Sequence, residues 1–373
     1  MNEEARKKLY MWILITAAVI GLLFVLWAIF LNRGTLTIQG DAPFSVNVQA
    51  LQNENCLESP CSIELAPGDY NISIQKPGFR TIERTVQVPI NGEHIEEVSF
   101  EFIPVIQKVG VEADVKAFPE VSVVVPELGD TPLFYEENYI TYLAYDDATK
   151  RQTLYLRGIT EDSLTEPQVT TSFIRTIDEY TIIPNIEQAN SIALIDQSGD
   201  EDAVYVVNMT EKSRNNIFSM AFIKDLKWIN AQKVLIEAQA EGDTGTSIYW
   251  YNLESGESKK LNLKTSLNNI AVLDQTTVIA ATNQDVTGVA AVSGTNGALI
   301  TLGEAPATPN IAIAGLTEGP QLSFIRYDLA LNEARLITID SNFSYADKIK
   351  LGRDQKSVMF LVNGEVYELK FEA

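Results

Sequence analysis

Histidine, cysteine and basic residues are scarce in this sequence. Its 373 residues include one histidine and two cysteines, and 28 Lys and Arg stand against 50 Asp and Glu, so the formal net charge is −22. One histidine excludes any triad, zinc site or proton relay that uses several imidazoles. The shortage of basic residues argues against nucleic acid as a partner, because phosphate contacts need a basic face.

Short catalytic motifs are also missing. The sequence contains no GxSxG elbow, P-loop, dinucleotide fingerprint or HExxH pair, which are the patterns that carry a known chemical mechanism. We therefore expect a protein that is not an enzyme and that has no resident cofactor, calcium being the one ion for which the sequence offers candidate ligands.

Charge is absent from residues 9–31, LYMWILITAAVIGLLFVLWAIFL. A helix needs roughly 20 apolar residues to cross a bilayer, whereas a cleaved signal peptide has a shorter apolar region and a small-residue cleavage site. We predict a transmembrane helix over 9–31. Arg6, Lys7 and Lys8 precede it, which predicts a cytoplasmic tail over 1–8 and an exterior C-terminal part, periplasmic or extracellular.

The two cysteines, Cys56 and Cys61, lie close together in CLESPC. In an oxidising exterior such a pair closes a small loop as a disulfide. The predicted topology supplies that exterior, so we expect the Cys56–Cys61 bond.

Short alternating strands follow from residue 34 to 104, punctuated by Gly, Pro and Asn, and no helical period appears. This pattern predicts a small β-sandwich. The residues expected on its inward faces are Leu36, Ile38, Val46, Val48, Ile63, Leu65, Ile72, Ile74, Val86, Val88 and Val98.

The same segment resembles the PEGA domain. The similarity lies in the opening GTLTIQG, in LAPGDY over residues 65–70 and in the following Gly78-Phe79, although Ala42-Pro43-Phe44-Ser45 replaces the tetrapeptide that names the family. The resemblance implies a surface-layer or envelope module without catalytic residues.

Residues 105–120 show little periodicity and are predicted to be a linker. From 121 to 373, strand-like pairs recur at a spacing of roughly 40 residues, which is typical of β-propeller blades. We predict six blades, with five or seven as alternatives. TVIAAT and GVAAVSG are assigned to one blade, NIAIAG and LSFIRYDL to the next. The run Val121–Val125 is expected to complete the last blade, whose final hairpin turns at Asn363-Gly364.

Two of these repeats are similar to those of TolB-type periplasmic propeller proteins. They are the turn GRDQK before SVMFLV and the segment IYWYNLESGESKKL. This resemblance implies a propeller and leaves its partner open.

The turns between second and third strands of each predicted blade are acidic and should lie on one face of the propeller. Asp196, Asp200 and Asp202 in DQSGDED form a candidate calcium site, since hard cations take carboxylate oxygens. The alternative is that these turns are merely solvated. The residues predicted to bind a basic partner are Asp146, Asp147, Asp200, Glu201, Asp202, Glu241, Asp243 and Asp285, with Glu318 on the same face.

These observations predict an all-β protein after one membrane helix. Its expected function is that of an anchored envelope protein whose exterior propeller binds or scaffolds other proteins or cell-wall polymers. Two alternatives stay open, a propeller hydrolase acting on envelope glycans or peptides and a structural subunit of a surface assembly.

Overall fold

In the computed structural model the chain divides into two units, 1–103 and 104–372. The residues that it describes are 11–22, 33–49, 51–111, 121–124, 132–135, 139–146, 150–158, 168–173, 177–185, 191–208, 210–284, 286–287, 297, 299–303, 321–340 and 342–372.

Residues 11–22 form an α-helix in which every residue is exposed. Its large apolar side chains include Trp12 at 64%, Leu14 at 71% and Leu22 at 61% exposure. The predicted span over 9–31 runs past both ends of this helix into residues outside the described set. Among the described residues, no helix combines the length and apolar character that crossing a bilayer requires.

The described part of the first unit after the helix contains seven strands in two facing sheets. One sheet has the order β4-β1-β7, with β1 and β7 parallel, and the other has the order β3-β2-β5-β6. The strands are β1 Gly34–Gln39, β2 Phe44–Val48, β3 Gln52–Cys56, β4 Cys61–Leu65, β5 Gly68–Gln75, β6 Ile82–Val88 and β7 Glu93–Glu97.

The core of this sandwich follows from strand alternation, because successive side chains point to opposite faces of a sheet. The ten residues predicted inward from Leu36 to Val88 are all buried, and Val98 packs against them partly buried. The predicted sandwich core is confirmed. The predicted disulfide is confirmed as well, with Cys56 and Cys61 bonded and their Cα atoms 5.6 Å apart.

In the residues that the structure describes, the second unit consists of strands and one short 3₁₀ helix, Leu267–Asn269. Its strands are β8 Val105–Val111, β9 Val121–Val124, β10 Pro132–Tyr135, β11 Tyr139–Asp146, β12 Arg151–Gly158, β13 Gln168–Phe173, β14 Tyr180–Pro184, β15 Ser191–Asp196, β16 Asp202–Asn208, β17 Ser213–Met220, β18 Phe222–Asn230, β19 Lys233–Gln239, β20 Ser247–Asn252, β21 Ser258–Lys260, β22 Ile270–Val272, β23 Thr277–Thr282, β24 Val286–Thr287, β25 Leu299–Leu302, β26 Leu322–Asp328, β27 Glu333–Asp340, β28 Lys348–Leu351, β29 Ser357–Val362 and β30 Glu365–Lys370.

These strands form successive antiparallel sheets that stack in chain order. The sheets are β11-β12-β13, β14-β15-β16-β17, β18-β19-β20-β21, a sheet built on β22-β23-β26-β27, and β28-β29-β30-β8. Each neighbouring pair of sheets encloses one apolar cluster. Up-and-down sheets that stack face to face in sequence are the blades of a β-propeller. The hairpin predicted at Asn363-Gly364 is confirmed, and both residues have positive φ, 52° and 76°.

The last sheet is completed by β8, which pairs antiparallel with β30. The prediction that Val121–Val125 closes this blade is wrong, because Val121–Val124 pairs with β10 instead. The prediction of a linker is likewise wrong for residues 105–111. This strand was missed because most of its residues are exposed, so that it lacks the apolar alternation of a half-buried strand.

Strands that the sequence assigns to two different blades share one sheet between residues 277 and 340. Strand β23, TVIAAT, pairs directly with β26, LSFIRYD, so GVAAVSG is not its partner. The intervening chain adds the hairpin β24-β25 at the outer edge, next to β27. GVAAVSG and NIAIAG themselves lie outside the described residues, and the six-blade count stays a prediction.

Candidate interaction surface

Two kinds of connection share one edge of each blade. In a sheet whose strands alternate in direction, the turn from the second to the third strand and the exit from the fourth strand lie at the same end. In the sheet β14-β15-β16-β17 this end carries the turn 197–201, and in the sheet β18-β19-β20-β21 it carries the turn 240–246. We call it the acidic edge.

An inner layer of hydrogen bonds at the acidic edge connects each of the sheets β11-β12-β13, β14-β15-β16-β17 and β18-β19-β20-β21 to the chain that enters the next sheet. The Gln152 side-chain amide exchanges two hydrogen bonds with the backbone of Ile177, of 2.8 and 2.6 Å. In the next sheet, Gln197 Nε2 donates to Ile223 O at 2.9 Å and Asp202 Oδ2 accepts from Ile223 N at 2.6 Å. Side chains at the turn thus satisfy the backbone that enters the following blade.

In the following sheet, β18-β19-β20-β21, Glu237 likewise binds the backbone that enters the next blade. Glu237 is 1% exposed. Its Oε1 accepts from Lys224 Nζ at 2.8 Å and Thr246 Oγ1 at 2.9 Å, and its Oε2 accepts from Leu267 N at 2.9 Å and Ser266 Oγ at 3.2 Å. Burial on its own raises the pKa of Glu237, but the hydrogen bonds from Lys224, the Leu267 amide and Thr246 outweigh it and lower the pKa.

Strand β18 carries two further ionisable groups at this contact. Lys227 Nζ donates to Leu267 O at 2.7 Å and to Ile270 O at 2.6 Å. Burial raises the pKa of Asp225, against the lowering effect of the hydrogen bond from the Leu226 amide. Most polar groups of this inner layer are therefore committed to holding successive blades together.

The three predicted calcium ligands are split by this arrangement. Asp196 is 1% exposed and accepts from Ser198 N and Oγ, and Asp202 is 6% exposed and bound to the Ile223 amide, whereas Asp200 is exposed. Among the described residues, no three His, Cys, Asp or Glu side chains are grouped to hold a metal ion. The structure does not bring the three carboxylates together, and calcium binding stays a prediction.

Asp202 and Asp200 make a matched pair for a stability test. We expect Asp202→Ala to lower the free energy of unfolding by about 1 to 3 kcal/mol, because the buried Ile223 amide loses its acceptor. Asp200→Ala is expected to change it by less than about 0.5 kcal/mol, as surface substitutions do. Urea denaturation of both variants checks this, and equal effects would contradict the structural role of Asp202.

The same hydrogen bonds bring two acidic turns side by side. The turn that ends at Asp202 is bound to Ile223, and Phe222 and Ile223 pair with Gln239 and Ala238 on the neighbouring strand. The next acidic turn, 240–246, follows Gln239 directly. Phe222 therefore lies between the two turns.

An outer layer of exposed side chains covers this part of the acidic edge. Asp200 and Glu201 are exposed on one turn, Glu241 and Asp243 on the other, and Phe222 between them is 42% exposed. Lys260 Nζ lies 3.9 Å from Asp243 Oδ2. Phe222 is thus an exposed apolar residue between two turns that carry four exposed carboxylates, with the partly exposed Lys224 and Lys260 nearby.

Sequence reasoning found the carboxylates and missed the aromatic residues beside them. Phe222 and Tyr145, which is 59% exposed, both stand next to second-to-third-strand turns. An apolar residue at the end of a strand beside an acidic turn was the available signal. Asp146 ends β11 opposite Arg151, and the predicted residues Asp147, Asp285 and Glu318 lie outside the described set.

Taken together, these features define a class, a disulfide-bonded β-sandwich followed by propeller-type sheets with an acidic edge. The sequence profile of the PEGA domain matches residues 50–99, within the sandwich. No curated protein matches this sequence.

Solved structures that are similar to the chain include propeller proteins of low identity. TolB from Acinetobacter baumannii is 14% identical with a TM-score of 0.33, and the match covers 85% of this chain and 63% of that one. The putative TolB from Agrobacterium tumefaciens is 7% identical with a TM-score of 0.31, covering 89% and 99%. The β-propeller domain of the Trilobed protease from Pyrococcus furiosus, described with an open velcro topology, is 11% identical with a TM-score of 0.32, covering 61% and 74%.

Proposed function

We propose that this chain is a membrane-anchored envelope protein whose acidic edge binds a basic segment of a partner protein. The observation that carries the proposal is Phe222, exposed between the carboxylates of two adjacent turns. Binding energy in protein interfaces concentrates in a few central residues, aromatic ones above all. Charges around such a residue select partners of opposite sign and speed their association.

The net charge of −22 supports a basic partner. Long-range attraction acts between the whole chain and a cationic surface, and it weakens as salt screens it. A cell-wall polymer is the alternative partner, since the PEGA resemblance of the sandwich implies a surface-layer or envelope module.

The membrane anchor is proposed on the sequence and on the exposed helix. Residues 9–31 carry no charge, and the described helix 11–22 is exposed and apolar on all sides. A helix that is apolar all round needs an apolar environment, such as lipid. The disulfide between Cys56 and Cys61 supports an oxidising, exterior location for the sandwich.

We assign the acidic edge a binding role and no catalytic one. Asp202 and Glu237 are buried carboxylates at this edge. Both accept hydrogen bonds from backbone amides of the next blade. Carboxylates engaged in this way hold structure, while the exposed ones are placed for contact with a partner.

A photo-crosslinking amino acid at position 222 of the full-length chain, expressed in its own envelope, tests the proposal. We expect a discrete cross-linked protein at position 222 and none at position 331, because Leu331 is 66% exposed but lies in the turn between β26 and β27, at the opposite edge. A smear of equal intensity at both positions would refute a specific site.

Substitutions of charged residues in the sheet β18-β19-β20-β21 provide a second test of the proposed binding site. Glu241→Gln with Asp243→Asn should lower the affinity for the cross-linked partner by about three- to tenfold at low salt. Glu254→Gln with Glu257→Gln removes two exposed charges from the other edge of the same sheet and should leave the affinity unchanged. Equal losses of affinity in both double variants would show that binding depends only on the net charge of the chain.

A further inference from the structure

The sandwich begins almost directly after the charge-free stretch 9–31. Leu31 and Gly34, the first residue of β1, are three positions apart in the sequence, and a fully extended chain covers at most about 11 Å over that separation. The headgroup layer on each side of a bilayer is roughly 5 to 7 Å thick. If the stretch spans the membrane, β1 therefore begins at the headgroups or just outside them.

Three turns lie at the end of the sandwich where β1 begins. They are 49–51, 66–67 and 89–92. Gly34 pairs with Leu65, the residue before the second turn, and Gly68 pairs with Val88, the residue before the third. The first turn follows β2, which runs antiparallel to β5 and so ends where β5 begins. We call these three turns, with Arg33 and Gly34, the proximal end.

The turn 89–92 is fixed to the start of β1. Arg33 O accepts a hydrogen bond from Asn91 N at 3.1 Å. At Gly34 the two segments approach so closely that an added Cβ would lie 2.2 Å from Pro89 O, which only glycine permits. The turn is therefore held beside the residue at which the chain leaves the proposed anchor.

Charge is distributed unequally between the two ends of the sandwich. The turns of the proximal end read QAL, AP and PING and contain no charged residue. Their exposed apolar side chains include Ile90 at 65% and Leu51 at 61% exposure. The connections at the opposite end, 40–43, 57–60 and 76–81, each contain at least one charged residue. These residues are Asp41, Glu58, Lys76 and Arg80.

Charged residues surround the turns of the proximal end without belonging to them. Arg33 Nη1 lies 3.6 Å from Glu64 Oε2, and Glu93 Oε1 accepts a hydrogen bond from Thr37 Oγ1. Asp69, the second residue of β5, is exposed. The proximal end is thus apolar at its turns and polar around them, as expected of a surface that enters a membrane interface only shallowly.

We propose that the proximal end rests on the exterior surface of the lipid bilayer, with Ile90 among the headgroups. An aliphatic side chain gains free energy when it leaves water. The short connection to Leu31 makes this contact intramolecular, so that a small apolar surface is enough to maintain it. The inference rests on the membrane anchor proposed above, and it adds the orientation of the sandwich, which an anchor alone leaves open.

Spin labels in the full-length chain, reconstituted in phosphatidylcholine vesicles, test the inference. A nitroxide on p-acetylphenylalanine leaves both cysteines untouched, and its accessibility to oxygen relative to a water-soluble nickel chelate distinguishes lipid from water. Ala66 is exposed in the proximal end, and a label there keeps Ile90 intact. Leu57 is 78% exposed at the opposite end. We expect the oxygen-to-nickel ratio at position 66 to exceed that at position 57 by about threefold or more.

Charge variants test the part played by Ile90. Ile90→Glu in the chain labelled at position 66 should lower the ratio to that found at position 57, because a charge is costly in the apolar boundary of the membrane. Leu57→Glu in the same labelled chain is the matched control and should leave the ratio unchanged. Melting curves that match the parent exclude misfolding of either variant.

A third label, at position 14, separates failure of this inference from failure of the anchor. Leu14 is 71% exposed on the described helix, and a label there should report lipid. Lipid at position 14 with water at position 66, or a ratio at 66 that Ile90→Glu leaves unchanged, would overturn this inference and leave the anchor in place. Water at position 14 would overturn both. Magnetic broadening between labels at position 66 of two chains would assign the proximal end to a second copy and overturn the inference too.

Discussion

Replacing Glu237 by alanine is expected to lower the free energy of unfolding by about 3 to 5 kcal/mol. The carboxylate is buried and accepts four hydrogen bonds, among them those from the Leu267 amide and Thr246. Hydrogen bonds to a charged group contribute about 1.5 to 3 kcal/mol each, and a buried amide left without an acceptor adds a penalty. The ion pair between Lys224 and Glu237 itself contributes little to the free energy of unfolding, because Lys224 is half-exposed.

Urea denaturation followed by tryptophan fluorescence measures this effect, since Trp228 and Trp250 belong to the same sheet as Glu237. The control is Glu257→Ala, an exposed residue in the turn between β20 and β21 of that sheet, which should change the free energy by less than about 0.5 kcal/mol. Glu237→Gln should lie between the parent and Glu237→Ala, because the amide keeps an acceptor oxygen. Similar stability of Glu237→Ala and the parent would contradict the inner layer as a tie between blades.

The pH dependence of this effect has a defined sign. The pKa of Glu237 is lowered in the folded state from its ordinary value of 4.5. A lowered pKa stabilises the fold above the unfolded value, and the contribution is lost as the pH falls through the folded pKa. The stability difference between the parent and Glu237→Gln should therefore be constant above about pH 5 and shrink at lower pH.

Phe360→Ala is expected to cost about 3 to 5 kcal/mol, the usual range for removal of a buried phenylalanine ring. Phe360 is fully buried in the cluster between the last sheet and the sheet before it. The centroid of its ring lies 5.0 Å from the ring centroid of Phe324, 5.4 Å from that of Phe343 and 5.3 Å from that of Tyr367. The closing strand β8 packs Ile106 against the same cluster.

Thermal or urea unfolding of the full chain checks this prediction, with Leu331→Ala as the control. Leu331 is 66% exposed, so its truncation opens no cavity and should leave stability nearly unchanged. If Phe360→Ala cost less than about 1 kcal/mol, the cluster between these sheets would not be the close-packed core described above.

The sandwich was predictable because its information is local. Period-two alternation identified the inward residues from Leu36 to Val88, and all of these are buried. The closeness of Cys56 and Cys61 in the chain was enough to predict their bond. Asn363-Gly364 was similarly recognisable, since the turn needs two residues that tolerate positive φ.

Pairing between distant strands was not predictable in the same way. VSVVV has a stronger β pattern than VIQKVGV, yet the latter closes the last blade because the outer position needs a strand that tolerates exposure on most residues. TVIAAT pairs with LSFIRYD across a long insertion, whereas a sequence reading favours the nearest strand-like run.

At the acidic edge, some features were predictable from local sequence and others depended on the tertiary structure. The sequence by itself determined that acidic turns recur between paired strands, because turn composition and strand alternation are local properties. Only the tertiary structure decided which carboxylates serve the fold, since Asp202 and Glu237 are buried by the entry of the next blade while Asp200 and Glu241 stay exposed. It also placed Phe222 between the two turns, because that position depends on how neighbouring sheets stack.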